Sequence, residues 1–159
     1  MQRIKTYAML GAVAMLMVTT ACSSGTPSAA SETSTEATPA ASGSGSVSVN
    51  LNQWSVVPST TNVAAGPVTF DVANQGTIPH EFVVLRTKTE ASDIAVGKFE
   101  REPDRINEDT SGTNVGETGD LNPGASKSVT LDLQPGHYVF LCNLPAHYQS
   151  GMHVDVTVA

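Results

Sequence analysis

Near the C-terminus a cysteine, a histidine and a methionine recur at intervals of five: Cys142, His147 and Met152. They offer a thiolate, an imidazole and a thioether within eleven residues. Far upstream, Asn74-Gln-Gly-Thr-Ile-Pro-His80 sets a second imidazole just before the apolar run Phe82 to Leu85. Two imidazoles and a thiolate form the trigonal donor set that copper favours, and a methionine sulfur at longer range is the weak axial ligand of sites that pass single electrons. A cysteine that ends one strand and a methionine that opens the next can flank a metal if the loop between them folds over it. That loop then delivers His147, while His80 arrives from a neighbouring strand. Pro145 and Gly151 suit so tight a loop, one by fixing φ and the other by permitting unusual backbone angles.

Each of these residues also has a plainer use. A lone cysteine is commonly a buried structural thiol, but the only other cysteine is Cys22, and an exported chain gains little from a free thiol. Met152 shares strand parity with Val154, Val156 and Val158, so it is expected at the edge of the core and can be filler and axial ligand together. His153 points the other way and is expected to be exposed. His137 shares parity with Val139 and Leu141, opposite to Cys142, and is expected to stand outside the ligand set.

The elements that position these residues read as β-strands. Val47, Val49 and Leu51 alternate, and Trp54 and Val56 continue on the opposite parity, which predicts a bulge near Asn52 and Gln53. Further runs are Val68-Phe70-Val72, Phe82 to Leu85, Val129-Leu131-Leu133, Tyr138-Phe140-Cys142 and Val154-Val156-Val158. Short alternating runs separated by Gly- and Pro-containing turns predict an all-β fold, an antiparallel Greek-key β-sandwich, over residues 47–159. The segment Thr87 to Asp120 is acidic, carries Gly, Pro and Asn, and reads as a long loop insertion with one short helix around Ser92 to Phe99. Its Glu100, Glu102, Asp104, Glu108 and Asp109 form by default a solvated face, or else a docking surface for a basic redox partner.

The N-terminal part is of a different kind. Arg3 and Lys5 precede a charge-free apolar run from Tyr7 to Val18, too short for the roughly 20 residues of a spanning helix, so residues 1–21 read as a signal peptide. The run ends in Val18-Thr19-Thr20-Ala21-Cys22, which resembles the lipobox of bacterial lipoproteins, with Thr19 where Leu is usual. Lipidation of Cys22 is what that resemblance implies. Residues 22–46 are 8 Ser, 4 Thr, 5 Ala, 3 Gly and 2 Pro among 25, with no Val, Ile, Leu or aromatic residue, so they read as a flexible linker. The 159-residue chain has 8 Lys+Arg against 15 Asp+Glu, a net charge of −7, which argues against a nucleic-acid partner.

The segment Pro135-Gly-His-Tyr-Val-Phe-Leu-Cys142, continued through His147 and Met152, resembles the copper-binding end of cupredoxins, the blue-copper proteins such as plastocyanin. The resemblance implies a cupredoxin-like sandwich holding one type 1 copper ion, with His80, Cys142 and His147 equatorial and Met152 axial. The spacing from Cys142 to His147 is longer than plastocyanin's and is similar to that of rusticyanin or the phytocyanins. The chain departs from the pattern at Glu81, where many cupredoxins place an Asn that braces the two ligand-bearing strands. The expected function is Cu(I)/Cu(II) electron transfer by a monomer, lipid-anchored outside the cytoplasm in the cell envelope, serving redox partner proteins there. Electrons are expected to pass at His147, with Ile78, Pro79, Leu144, Pro145 and Ala146 as a small apolar docking patch. Two rivals use the same domain: a copper carrier or buffer that passes on the ion itself, and an enzyme fed by such a centre. The enzyme needs a second histidine cluster, which four histidines in total make hard to supply.

Overall fold

The computed structural model describes residues 45–99 and 102–159. The expected signal peptide and Cys22 lie outside the described residues, as does the linker up to residue 44. Eleven strands are described: β1 (Gly45–Asn52), β2 (Ser55–Pro58), β3 (Asn62–Val63), β4 (Gly66–Asn74), β5 (Val83–Arg86), β6 (Val96–Phe99), β7 (Glu102–Ile106), β8 (Thr113–Glu117), β9 (Ser126–Leu133), β10 (Gly136–Leu141) and β11 (His153–Val158). They form a four-stranded sheet in the order β2-β1-β4-β9, a five-stranded sheet in the order β3-β11-β10-β5-β8, and a separate β6-β7 hairpin. The first strand begins at Gly45, two residues before the boundary that composition placed at Val47.

Between the sheets lies one apolar core, because alternate residues of each strand face it. Val47, Val49, Leu51, Val68, Phe70 and Val72 enter from the first sheet, and Phe82, Val84, Tyr138, Phe140, Val156 and Val158 from the second. At its centre Phe70, Phe82 and Phe140 meet with ring centroids 5.2–5.3 Å apart; Phe140 stands edge-on to the other two, the geometry that aromatic quadrupoles favour, while Phe70 and Phe82 are tilted by 48°.

Three expectations change. The parity switch after Leu51 is a hairpin and not a bulge: Asn52 pairs with Ser55, Gln53 and Trp54 form the two-residue turn, and Val56 returns opposite Leu51. A reversal of direction and an inserted residue produce the same shift in alternation. The sheets are also not wholly antiparallel, since β1 runs parallel to β4 and β3 parallel to β11. Finally, the segment after β5 is ordered into several small elements. Ala91–Asp93 form a single 3-10 turn, and residues 96–99 are strand β6 where a helix was expected, paired with β7. A short helix, α1 (Glu108–Ser111), comes later, with the Asn107 side chain accepting from the Thr110 N–H at its start. That side-chain cap satisfies one of the orphan amides of the first turn. The segment then closes into β8, which joins the main sheet beside β5.

Candidate metal centre

Strand β10 carries its even residues into the core, so Cys142, one residue past its end, continues that face and is fully buried. The loop from Asn143 to Gly151 then turns back over it. Its turn is closed by His147 N–H to Leu144 O at 2.9 Å, Met152 N–H to His147 O at 3.2 Å and Cys142 N–H to Met152 O at 3.0 Å. The last of these bonds sets the cysteine and methionine backbones side by side at the mouth of the β10–β11 pair. Met152 is fully buried among the core residues and close to His80.

His80 comes from the stretch between β4 and β5, held by a two-way bridge to Leu121: His80 N–H to Leu121 O at 3.1 Å and Leu121 N–H to His80 O at 2.7 Å. Its side chain is fully buried, and its Nδ1 lies 3.2 Å from His147 Nδ1, which in turn lies 3.3 Å from Cys142 Sγ. The four residues singled out from sequence are therefore brought together: three donor atoms converge on one point and Met152 flanks them.

The electrostatics of the point suit a cation. Burial holds both histidines below the ordinary imidazole value, and for His80 the neighbouring His147 adds to the effect. Both shifts favour the neutral ring, whose lone pair can bind a cation. Burial also pushes the Cys142 thiol up to about 11, against the pull of backbone N–H groups of Glu81 and Leu144. A thiol so placed keeps its proton unless a positive ion takes the proton's place. Neutral imidazoles and a thiolate in a water-free pocket form a soft donor set.

Sequence reasoning missed most of the surrounding shell. Glu81 stands where a bracing Asn was looked for, and it braces both ligand-bearing strands. Its N–H donates to Cys142 Sγ at 3.3 Å, and its carboxylate accepts from the Asn143 N–H at 3.0 Å. Burial pushes the Glu81 carboxyl up to about 7, opposed by the Arg105 guanidinium 3.6 Å away. Asn143, also buried, reaches outward: its side chain accepts from Ile106 N–H at 2.9 Å and donates to Ile106 O at 3.2 Å and to Glu108 at 2.7 Å. The segment 102–108 is thereby tied to the residue after the cysteine.

On the other side Asn74 holds the His80 approach. Its amide donates to Ile78 O and to Leu121 O, each at 2.8 Å, and its Oδ1 accepts from Gly76 N–H at 2.9 Å. Gly76 is small of necessity, since a Cβ there would lie 2.7 Å from His80 Nε2 and 2.3 Å from Gln53 Oε1. The sequence did carry a signal: Asn74-Gln-Gly is a turn dipeptide region directly before a candidate ligand.

Trp54, at the tip of the β1–β2 hairpin, stands edge-on to His147 with centroids 5.1 Å apart and is 45% exposed. His147 itself is only 9% exposed, so the indole covers the imidazole that was expected to reach the surface. Pro79 and Pro145 are exposed beside it, and Ile78, Leu144 and Ala146 half-buried. The other two histidines stand apart from this group. His153 is half-buried and not exposed, packed against Tyr148 with centroids 4.6 Å apart, because the ordered segment after β5 covers that face. His137 lies on the same outer face and contacts Thr87 and Asp155.

The profile of the cupredoxin-like domain matches residues 12–158. No protein of curated function matches the sequence. Among solved structures, the chain is similar to dithionite-reduced auracyanin from the photosynthetic bacterium Roseiflexus castenholzii, at 26% identity over 76% of this chain and 99% of that one, with a TM-score of 0.53. Auracyanin A, a "blue" copper protein from the green thermophilic photosynthetic bacterium Chloroflexus aurantiacus, shares the fold at 18% identity over 74% of this chain and 100% of that one, TM-score 0.53. Rusticyanin, a copper protein, shares it at 18% identity over 72% of this chain and 76% of that one, TM-score 0.51. A two-sheet sandwich, two histidines and a cysteine converging at one end of it, and a domain match over nearly the whole length agree, and this chain belongs to the cupredoxin-like family.

Proposed function

We propose that the protein is an electron carrier in which His80, Cys142 and His147, with Met152 beside them, would hold one copper ion. The observation that carries this reading is the convergence of two imidazole Nδ1 atoms and one Sγ within 3.2–3.3 Å of each other along the pair contacts, beside a buried methionine. Copper bound there supplies one-electron exchange between Cu(I) and Cu(II).

The chain's own part is to hold the donors still and dry. Cys142, His80 and Met152 are fully buried, which excludes water from the ligand atoms. The Glu81 N–H on Sγ and the carboxylate on Asn143 N–H fix the cysteine side, and hydrogen bonds to a ligand sulfur tune a redox potential. A rigid donor set changes little between oxidation states, which keeps reorganisation small. Burial also favours electron transfer over ion carriage, since a carrier must let the ion leave. We take the protein to be a carrier and not an enzyme.

Partners meet it at the end where Trp54, Pro79 and Pro145 are exposed around His147. The signal-like residues 1–21, the lipobox-like Cys22 and the Ser/Thr/Ala-rich linker support a monomer tethered by lipid to a membrane outside the cytoplasm, reaching its redox partners in the cell envelope.

The test is optical and magnetic. Loaded with Cu(II), the protein is expected to show an intense thiolate-to-copper absorption in the visible and a narrow parallel hyperfine splitting, both lost in Cys142→Ser. An ordinary copper spectrum that the mutation leaves unchanged would sink the reading.

A further inference from the structure

A second group of donor atoms lies on the opposite, outer face of the five-stranded sheet. His137 on β10 and Asp155 on β11 are diagonal neighbours, since Val139 is registered with Asp155 and His137 with Thr157. Glu90 joins them from the stretch between β5 and the 3-10 turn. That stretch is anchored to His137, whose carbonyl accepts the Thr87 N–H at 3.1 Å.

Both nitrogens of the His137 ring face oxygen acceptors. Nδ1 lies 3.1 Å from the Thr87 carbonyl, which can only accept, so Nδ1 carries a proton. Nε2 lies 3.0 Å from Asp155 Oδ1 and 3.9 Å from Glu90 Oε2. With its proton on Nδ1, the imidazole aims the Nε2 lone pair at Asp155 Oδ1 with Glu90 nearby, and a metal ion set among the three takes one donor from each.

Several features favour the metal. An imidazole whose far N–H is held by a backbone carbonyl has the fixed tautomer and orientation of a metal ligand. Asp155 Oδ1 is held as well, by the Ala91 N–H at 2.9 Å. Ligands about 2.0–2.2 Å from a tetrahedral ion are about 3.3 Å from each other, and the 3.0 and 3.9 Å separations bracket that value. The three side chains remain 25%, 41% and 65% exposed for His137, Asp155 and Glu90, which leaves an open side for water to complete the coordination.

We propose that Glu90, His137 and Asp155 form a second metal site, for a divalent first-row cation bound through one imidazole and two carboxylates. Its donors are harder than those of the buried centre and match Zn2+ and Cu2+ in preference to Mg2+ or Ca2+, which seek all-oxygen shells. Bound there, the ion ties the start of the segment after β5 to the β10–β11 pair. This inference is independent of what the buried centre holds.

The experiment is Zn2+ titration of the intact protein, loaded with one equivalent of copper and freed of excess, by calorimetry, together with His137→Ala and Asp155→Asn prepared in the same way, each checked for native circular dichroism. The expected result is one equivalent of Zn2+ in the parent protein and none in His137→Ala. Asp155→Asn keeps an oxygen for the Ala91 N–H and is expected to bind at least about tenfold more weakly, the loss seen even for outer-shell partners. Retention of the equivalent in folded His137→Ala would overturn the proposal. So would the absence of uptake by the parent protein at millimolar Zn2+, which would leave the cluster as a hydrogen-bonded group on the sheet surface.

Discussion

Strand β10 is the common wall of two unlike interiors. Its residues Tyr138 and Phe140, followed by Cys142, face the core between the sheets, where they meet Phe70, Phe82 and Val156. Its residues Val139 and Leu141 face outward, yet they too are fully buried, with Val83, Leu85, Ile94, Ile106 and Tyr148. The outer interior is built by the segment after β5, whose 3-10 turn and β7 supply Ala91, Ile94 and Ile106. One side of the wall thus ends in a soft, dry donor set, and the other carries His137 in a half-exposed group with Asp155. A single strand serves both because successive side chains point to opposite faces.

Deleting side chains on either face tests whether both interiors contribute to stability. Phe140→Ala removes an aromatic from the centre of the sandwich and is expected to destabilise by about 3–5 kcal/mol, and Leu141→Ala, one residue on, by about 2–3 kcal/mol, because the covering segment can settle into the space. Urea unfolding of both variants makes the measurement. The comparison breaks if Leu141→Ala stays within about 0.5 kcal/mol of the parent, the range of an ordinary surface change. The copper absorption of Leu141→Ala is expected to be unchanged.

Asn143 connects the two interiors, since its backbone follows Cys142 while its side chain bonds Ile106 and Glu108. In Asn143→Ala the buried Ile106 N–H has no acceptor, and a loss of about 1–3 kcal/mol is expected. Amide exchange should localise it: residues 102–111 open sooner, while β4 and β9 keep their protection. Equal loss of protection in all of these would show that the covering segment does not behave as a separable unit.

The four residues of the candidate centre were legible because their chemistry is scarce and their spacing short: Cys142, His147 and Met152 span one loop, and only His80 had to be placed by a strand far away. The main strands were legible for the same local reason, alternation. What escaped was set by contacts distant in sequence. The hairpin at Gln53 and Trp54 carries the same parity shift as a bulge, and only the pairing of Leu51 with Val56 tells them apart. The segment after β5 looked like a solvated loop because its few apolar residues, such as Ile94 and Ile106, are scattered along the chain and gather only against the sheet. Its cover was written elsewhere, in Val83, Leu85, Val139 and Leu141. Strands apolar on both faces, as β5 and β10 are, must be covered on both. Glu81 looked like a lost brace because the role of its carboxylate depends on the Asn143 N–H across the strands.

Gly76→Ala probes the buried centre without touching a ligand. The new Cβ meets the far end of Gln53 and the ring of His80. Gln53 can swing aside, but the imidazole is held in a closed pocket and must move off its donor position. Copper affinity is expected to fall roughly tenfold, within the range seen when the support of a metal ligand is removed, with a shift of the visible band. Parental affinity would show that the pocket yields at no cost to the ligand.

Trp54→Ala should change stability less than Phe140→Ala and electron transfer most visibly. The indole is 45% exposed where the Phe140 ring is fully buried, so truncation removes less buried apolar surface and the smaller loss is expected. Its edge contact with His147 is nonetheless the cover over the most accessible ligand, the other three being fully buried. Removing that cover shortens the path from solvent to the imidazole, so oxidation of the reduced protein by a small inorganic oxidant such as ferricyanide is expected to quicken. The core variants Phe140→Ala and Leu141→Ala should behave in the opposite way, with large losses of stability and, while folded, a parental oxidation rate. If Trp54→Ala leaves the rate untouched, electrons do not leave past His147, and the exposed end formed by Trp54, Pro79 and Pro145 is not where partners meet the protein.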